Sequence, residues 1–250
     1  MGFKDTLLFM MNMVKKTLQV ELNKFLEEIL DKTELISKQA YSEARKKIKP
    51  EAFIELNNNV INGLYRDVED LELWNGYRLC AIDGTVLEIP NTEKLRKEFG
   101  ASKNQSGEVA RAKASCIYDV LNEVIIKSNI DGYKTGATKI AIEQDFYASI
   151  FLVNMVELTK KYNDANIKEK NKDKNYKYEY KTNFNVLVGS FKDKLIMILL
   201  EDDERIREIL FNKIIKKIAR STVPIRVGRQ NPRNKFLTRS KYQLNKKRCL

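Results

Sequence analysis

With 250 residues, 43% of them hydrophobic and 32% charged, the chain can form one sizeable domain or two small ones, and it nowhere offers the roughly 18 apolar residues in a row that a membrane helix takes. It contains no histidine, which excludes Ser-His-Asp and Cys-His catalysis and removes the commonest zinc ligand, so any hydrolytic or transfer chemistry must rest on carboxylates, lysine, tyrosine or a hard cation held by oxygen. The net charge of +12 is one-sided: thirteen Lys or Arg and no Asp or Glu lie between Ile209 and Leu250, leaving the rest close to neutral. Such a block is an electrostatic footprint for a polyanion, most often nucleic acid.

The start, "TLLFMMNMV", is apolar but short, and "KK" follows it without a small-residue cleavage site, so no signal peptide is expected. Cys80, Cys116 and Cys249 form no CxxC pair, which argues for a reducing, cytoplasmic setting without a disulfide framework or a zinc site. Leu7, Leu8, Met11, Val14, Leu18, Leu22, Phe25, Leu26 and Ile29 recur at three- and four-residue steps and predict an amphipathic helix over 5–31. Two more helices are expected over 36–67, with Ser37 capping the first and Pro50 opening the second.

From 77 the period changes to two. Strands are expected over 77–89, 110–119 and 123–131, with a polar loop and a short helix over 91–110 and a turn at "VLN", giving an antiparallel meander. A helix follows over 138–162, then a charged, Tyr-dotted linker over 163–181, one or two helices over 184–220, and a Pro-, Gly- and Asn-broken tail from 221. The fold class is therefore α+β and mostly helical.

Asp83 stands out in "YRLCAIDGTVLEIPN", residues 77–91. A carboxylate in an apolar strand is costly unless something pairs with it. Followed by Gly-Thr, it could ligate a divalent ion, or it could simply bond to a turn. Helices, a three-stranded meander with an Asp in its first strand, then a helix, is how a ribonuclease H-like core begins. "LCAIDGTVLEIPNTEKLRKEFG" with "ARAKASCIYDVLNEVIIKSNI" resembles the start of the catalytic domain in DDE-type insertion-sequence transposases, the group named for insertion sequence four. "SKQAYSEARKKIKPEAFIEL" is similar to that group's upstream helical segment, "QDFYASIFLVNM" to a helix at the end of its catalytic domain, and "VPIRVGRQNPRNKF" to the basic tail beyond.

The resemblance implies a helical N-terminal region (1–72), a partial ribonuclease H-like core (73–162), the linker (163–181), C-terminal helices (182–220) and a basic tail (221–250). It matches Asp83 to the first Asp of a catalytic triad that holds Mg²⁺ or Mn²⁺ for phosphoryl transfer on DNA. The family's second Asp, in an Asp-Arg-Gly-Tyr-like turn, and its Glu have no counterpart here. The family-like start runs to about Thr135 and the family-like end resumes by about Ile142, so a long middle section is missing. Asp131 in "DGY" follows the wrong strand for the second Asp, Glu143 does not match the Glu, and Asp119 reads as a structural turn residue.

The expectation is a nucleoid-associated, internally deleted transposase that is catalytically impaired, with a sheet edge left unpaired. A non-catalytic protein that competes with intact transposase at transposon ends, alone or in mixed oligomers, is the alternative. For DNA contact the tail offers Arg226, Arg229, Arg233, Lys235, Arg239 and Lys241, interleaved with Phe236 and Tyr242.

Overall fold

The computed structural model describes residues 1–12, 17–31, 36–66, 71–104, 107–133 and 140–228. The fold is α+β and mostly helical, with a small antiparallel sheet. The chain divides into two compact units, a first made of Met1–Arg45 with Thr159–Leu250 and a second made of Lys46–Leu158.

In the first unit the expected N-terminal helix is broken. Helix α1 (Phe3–Met11) ends where Asn12 turns extended, α2 (Leu18–Lys24) restarts after Thr17, and a π-helical turn (Phe25–Ile29) follows, ended by Asp31 at φ +50°. The wider π turn keeps Phe25 and Leu26 buried. The Phe25 ring meets Phe9 edge-on at 5.1 Å, and Phe9 meets Tyr41 of α3 (Lys38–Lys46) at 4.9 Å. Ser37 caps α3 as expected, its Oγ accepting from the Ala40 N–H at 3.2 Å.

The second unit holds α4 (Glu51–Leu64), opened by Pro50, and a four-stranded sheet. Its strands are β1 (Cys80–Glu88), β2 (Ala101–Asn104), β3 (Gly107–Asp119) and β4 (Val124–Gly132), with α5 (Glu93–Phe99) between β1 and β2. All pairings are antiparallel and all run through β3: β1 against residues 111–119, β4 against 112–119 and β2 against 107–110. The meander is as expected; β2 is an addition from the stretch expected to be loop. Before β1, Asn75 and Gly76 both take positive φ, and Trp74 and Tyr77 exchange backbone hydrogen bonds of 2.8 and 2.9 Å across them. Asn-Gly suits such a turn because both central residues need left-handed backbone.

Helix α6 (Ile140–Asn171) outruns the expected end at residue 162 and takes the first half of the expected linker into regular structure. It belongs to the second unit as far as Leu158. There the core is Phe53 and Ile61 of α4, Leu95 and Phe99 of α5, Ala110, Ala112 and Ala114 of β3, Val124 and Ile130 of β4, and Ala148, Phe151 and Leu152 of α6. This is why α4 groups with the sheet and not with the N-terminal helices.

A buried amide joins three elements of this unit. Asn154 of α6 accepts from the Ile125 N–H at 2.8 Å, and its amide donates to the Ile125 carbonyl at 2.8 Å and to Asn57 Oδ1 of α4 at 2.7 Å. One amide side chain thus ties two helices to β4.

In the first unit, α7 (Phe184–Leu200) and α8 (Glu204–Ala219) pack as a helical pair, burying Leu187, Phe191, Leu195 and Ile196 with Ile214, Ile215 and Ile218. Asn183 and Asp203 cap their N-termini. A short ribbon brackets the pair: β5 (Tyr180–Thr182) precedes α7 and joins β6 (Thr222–Pro224), which follows α8. No helix among the described residues is long and apolar enough to cross a membrane.

Asn154→Ala is expected to lower the unfolding free energy by about 3 kcal/mol, because the buried Ile125 N–H loses its acceptor; urea denaturation measures it.

Candidate functional site

The sequence points to two places, the strand that carries Asp83 and the basic C-terminal stretch. Of the tail residues offered for DNA contact, Arg226 lies among the described residues; Arg229, Arg233, Lys235, Arg239, Lys241, Phe236 and Tyr242 lie outside them.

Among the described residues, strand β1 pairs with β3 on one side only. Its two flanking backbone groups fix which way it faces. The Val120 N–H donates to the Leu79 carbonyl at 2.9 Å, and the Ile89 N–H donates to the Ala110 carbonyl at 3.2 Å. Odd-numbered residues of β1 therefore bond to β3, and Cys80, Ile82, Gly84, Val86 and Glu88 turn their backbone groups outward. Asp83 is exposed, and its Oδ1 accepts from the outward Gly84 N–H at 2.7 Å. The carboxylate thus covers one donor of the open edge. Ile82 is 78% exposed and Val86 43%, so these two apolar side chains face solvent.

Register decides which other carboxylates can reach Asp83. It stands opposite Cys116, which stands opposite Ser128. The neighbouring rows on the same face are Ala81 with Tyr118, and Thr85 with Ala114 and Ile130. None of these is acidic. Asp119 pairs with Cys80, and Asp131 pairs with Lys113 opposite Val86, so alternation puts both on the other face. Neither joins Asp83. A two-ion site of the kind that clamps attacking and leaving oxygens needs converging carboxylates about 4 Å apart, and Asp83 with these neighbours does not fit it. Among the described residues no group of three or more His, Cys, Asp or Glu is arranged to hold a metal ion.

Asp119 has a different occupation, as its turn position suggested. It is fully buried and accepts from Tyr65 Oη at 2.8 Å, from the Asn122 N–H at 3.1 Å and from Asn122 Nδ2 at 3.0 Å. Asn122 in turn exchanges 3.1 Å bonds with the backbone of Glu72 through both ends of its amide. Burial and the Asp119 carboxylate raise the Tyr65 phenol to a pKa of about 12, although the Arg78 guanidinium lies 4.5 Å over its ring. Burial also raises the Tyr147 phenol, assisted by the negative charges of Glu143, Asp131 and Glu51. Asp131 and Glu143 therefore act electrostatically on Tyr147, on α6.

The β5–β6 ribbon assembles a group that the sequence reading left apart. Tyr176, Tyr178 and Tyr180, expected to sit in a charged linker, form two contacts there, Tyr178 with Arg226 and Tyr176 with Tyr180. The Arg226 guanidinium lies 6.0 Å from the Tyr178 ring centre, and the Tyr176 and Tyr180 rings meet edge-on at 5.5 Å. The available signal was the alternation "YKYEYKT" and the β-branched pair Thr222-Val223, which are strand features at two distant places.

No protein-family model, curated protein or solved structure matches the chain.

Asp119→Ala is expected to cost about 3 kcal/mol, since Tyr65 Oη and Asn122 lose a buried charged acceptor, whereas Asp83→Ala should stay within about 0.5 kcal/mol, as for an exposed group; parallel urea titrations separate the two. The Tyr65 phenol titrates at about 12 in the folded chain against 10.0 unperturbed. Its contribution is whole below pH 10 and falls as pH rises towards 12, because the unfolded chain loses the proton first. Tyr65→Phe should be less stable at neutral pH and should lose less stability across that alkaline window.

Proposed function

We propose that the chain is an internally shortened relative of the insertion-sequence-four transposases that binds DNA without cutting it. The observation that carries this reading is the register around Asp83. The residue matched to the first catalytic Asp lies on the opposite face of the sheet from Asp119 and Asp131, and its carboxylate is bonded to its own strand. The uncovered Ile82 and Val86 support the same reading, since apolar residues on an open strand are what the loss of neighbouring strands would leave.

The binding half of the reading rests on charge. Thirteen Lys or Arg from Ile209 onward, with no Asp or Glu among them, offer counterion-releasing contacts to phosphates. In this role the protein occupies transposon ends and inhibits intact copies, by competition or in mixed oligomers. Mg²⁺ or Mn²⁺ belongs to the chemistry of complete relatives, and no step is assigned to it here.

The test uses the purified chain and DNA carrying the inverted repeats that flank its own gene, with Mg²⁺ or Mn²⁺ and with chelator. Retarded migration that survives chelation and Asp83→Ala is expected, with no strand cleavage. With about six phosphate contacts, affinity should fall by about three orders of magnitude between roughly 50 and 200 mM salt. Metal-dependent nicking at the repeat ends that disappears in Asp83→Ala would overturn the non-cutting role.

A further inference from the structure

We infer that the tyrosine ribbon of the first unit is a platform for single-stranded nucleic acid. The inference rests on the nucleic-acid reading above and names the strandedness of the ligand at one surface.

Tyr180 lies in the ribbon itself, and Tyr176 and Tyr178 lie in the bend that leads into it, so the ribbon is the frame on which they stand. Tyr180 pairs with Pro224, Lys181 with Val223 and Thr182 with Thr222. The Ile225 N–H donates to the Glu179 carbonyl at 2.7 Å, extending the pairing by a step. At its base Thr182 is buried, accepting through Oγ1 from Asn163 Nδ2 at 2.9 Å and donating its N–H to Asp164 Oδ1 at 2.6 Å. The strand direction is thereby anchored to α6.

What this frame presents is aromatic and cationic. Tyr176 is 52% exposed and Tyr178 39%. The Lys174 ammonium lies 5.8 Å from the Tyr176 ring centre and that of Lys177 lies 5.5 Å from Tyr178, which also faces Arg226. Over 172–181 and 225–228 there are five Lys or Arg against Asp173 and Glu179, so the patch is positive despite its two acids.

Exposed tyrosines ringed by cations suit a ligand with both flat apolar faces and a phosphate backbone. Base faces are open for stacking only when the strand is unpaired, while in a duplex they are covered by their neighbours. Cations alone would serve either form equally. The tyrosines are what single out the unpaired form. Cation–π contact within about 6 Å adds to the same arrangement, because it holds the charges beside the rings.

The experiment measures full-length protein by fluorescence anisotropy on labelled oligothymidine, oligouridine and a mixed-sequence duplex, across a salt series. The Tyr176→Ala, Tyr178→Ala double variant is expected to lose at least about thirty-fold in single-strand affinity, with duplex affinity and the salt slope unchanged. The corresponding double Phe variant keeps the ring faces and is expected to bind as the parent does. Arg226→Gln should lower the single-strand salt slope by about 0.7, one phosphate's worth. The polymer with the larger tyrosine-dependent loss identifies DNA or RNA as the source.

No loss in the Ala variant, equal loss on duplex and single strand, or equal loss in the Ala and Phe variants would each overturn the platform. A tyrosine-dependent single-strand signal without recognition of the repeat ends would leave the platform standing and remove the transposon role. Recognition of the ends without that signal would do the reverse.

Discussion

Alternation of side chains along β3 is the constraint on which the second unit depends. This strand pairs with all three others, so its two faces set theirs. One face carries Ala110, Ala112 and Ala114, all buried, and α5 packs against the strand. The other carries Arg111, Lys113 and Ser115. A one-residue slip would turn two cations into the core and lift three alanines out of it, so the register is strongly specified. Once it is fixed, so is the segregation of the acids: Asp83 goes with the alanine face, Asp119 and Asp131 with the other. No rotamer change moves a side chain through a sheet, so neither Asp119 nor Asp131 joins Asp83.

Strand β1 then shows what happens when apolar sequence has nothing to lie against. Of its nine residues all but Leu87 are exposed, the apolar Ile82 and Val86 included. Covering Ile82 and Val86 would contribute roughly 1.5–3 kcal/mol each if a partner surface were there. In its place the edge carries devices that discourage sticking: the charges of Asp83 and Glu88, and the bond from the Gly84 N–H to Asp83. The carboxylate that looked like a ligand from its sequence context has a sufficient structural occupation as an edge cap.

The meander, the caps at Ser37 and Asp203, and the pairing of β1 with β3 follow from patterns confined to a few residues. Period-two alternation marks the strands, and a hydroxyl or carboxylate before an apolar run marks a helix start. What was not legible depends on partners far away in sequence. Residues 163–171 look like a polar linker, but Ile167 is buried and Asn163 is wholly enclosed, so the polar composition hides a helical stripe. The short strands β5 and β6 are separated by two helices, and neither three-residue segment signals itself alone. Asn75-Gly76 was the opposite case, a strong local turn signal that the apolar run beside it obscured. For the candidate site, the position of Asp83 in a strand could be read directly, but its isolation could not, because that depends on counting register through β3.

Chemistry and binding tolerate loss of sequence to different degrees, and this physical difference supports a chain that keeps one without the other. A metal-assisted active site needs its carboxylates held to within about 0.5 Å by supporting residues on several elements. Removing strands that carry two of three ligands abolishes it outright, however well the remaining sheet folds. Electrostatic attraction to a polyanion has no such threshold. It sums over charges, each contributing a counterion's release, and it asks only that acids be kept away from the bases. The basic residues from Lys213 to Arg226 already meet that condition on α8 and the β6 side of the ribbon. They lie in the unit to which the sheet and Asp83 do not belong. A change confined to the sheet of the second unit therefore leaves the basic residues of α8 and β6 in place.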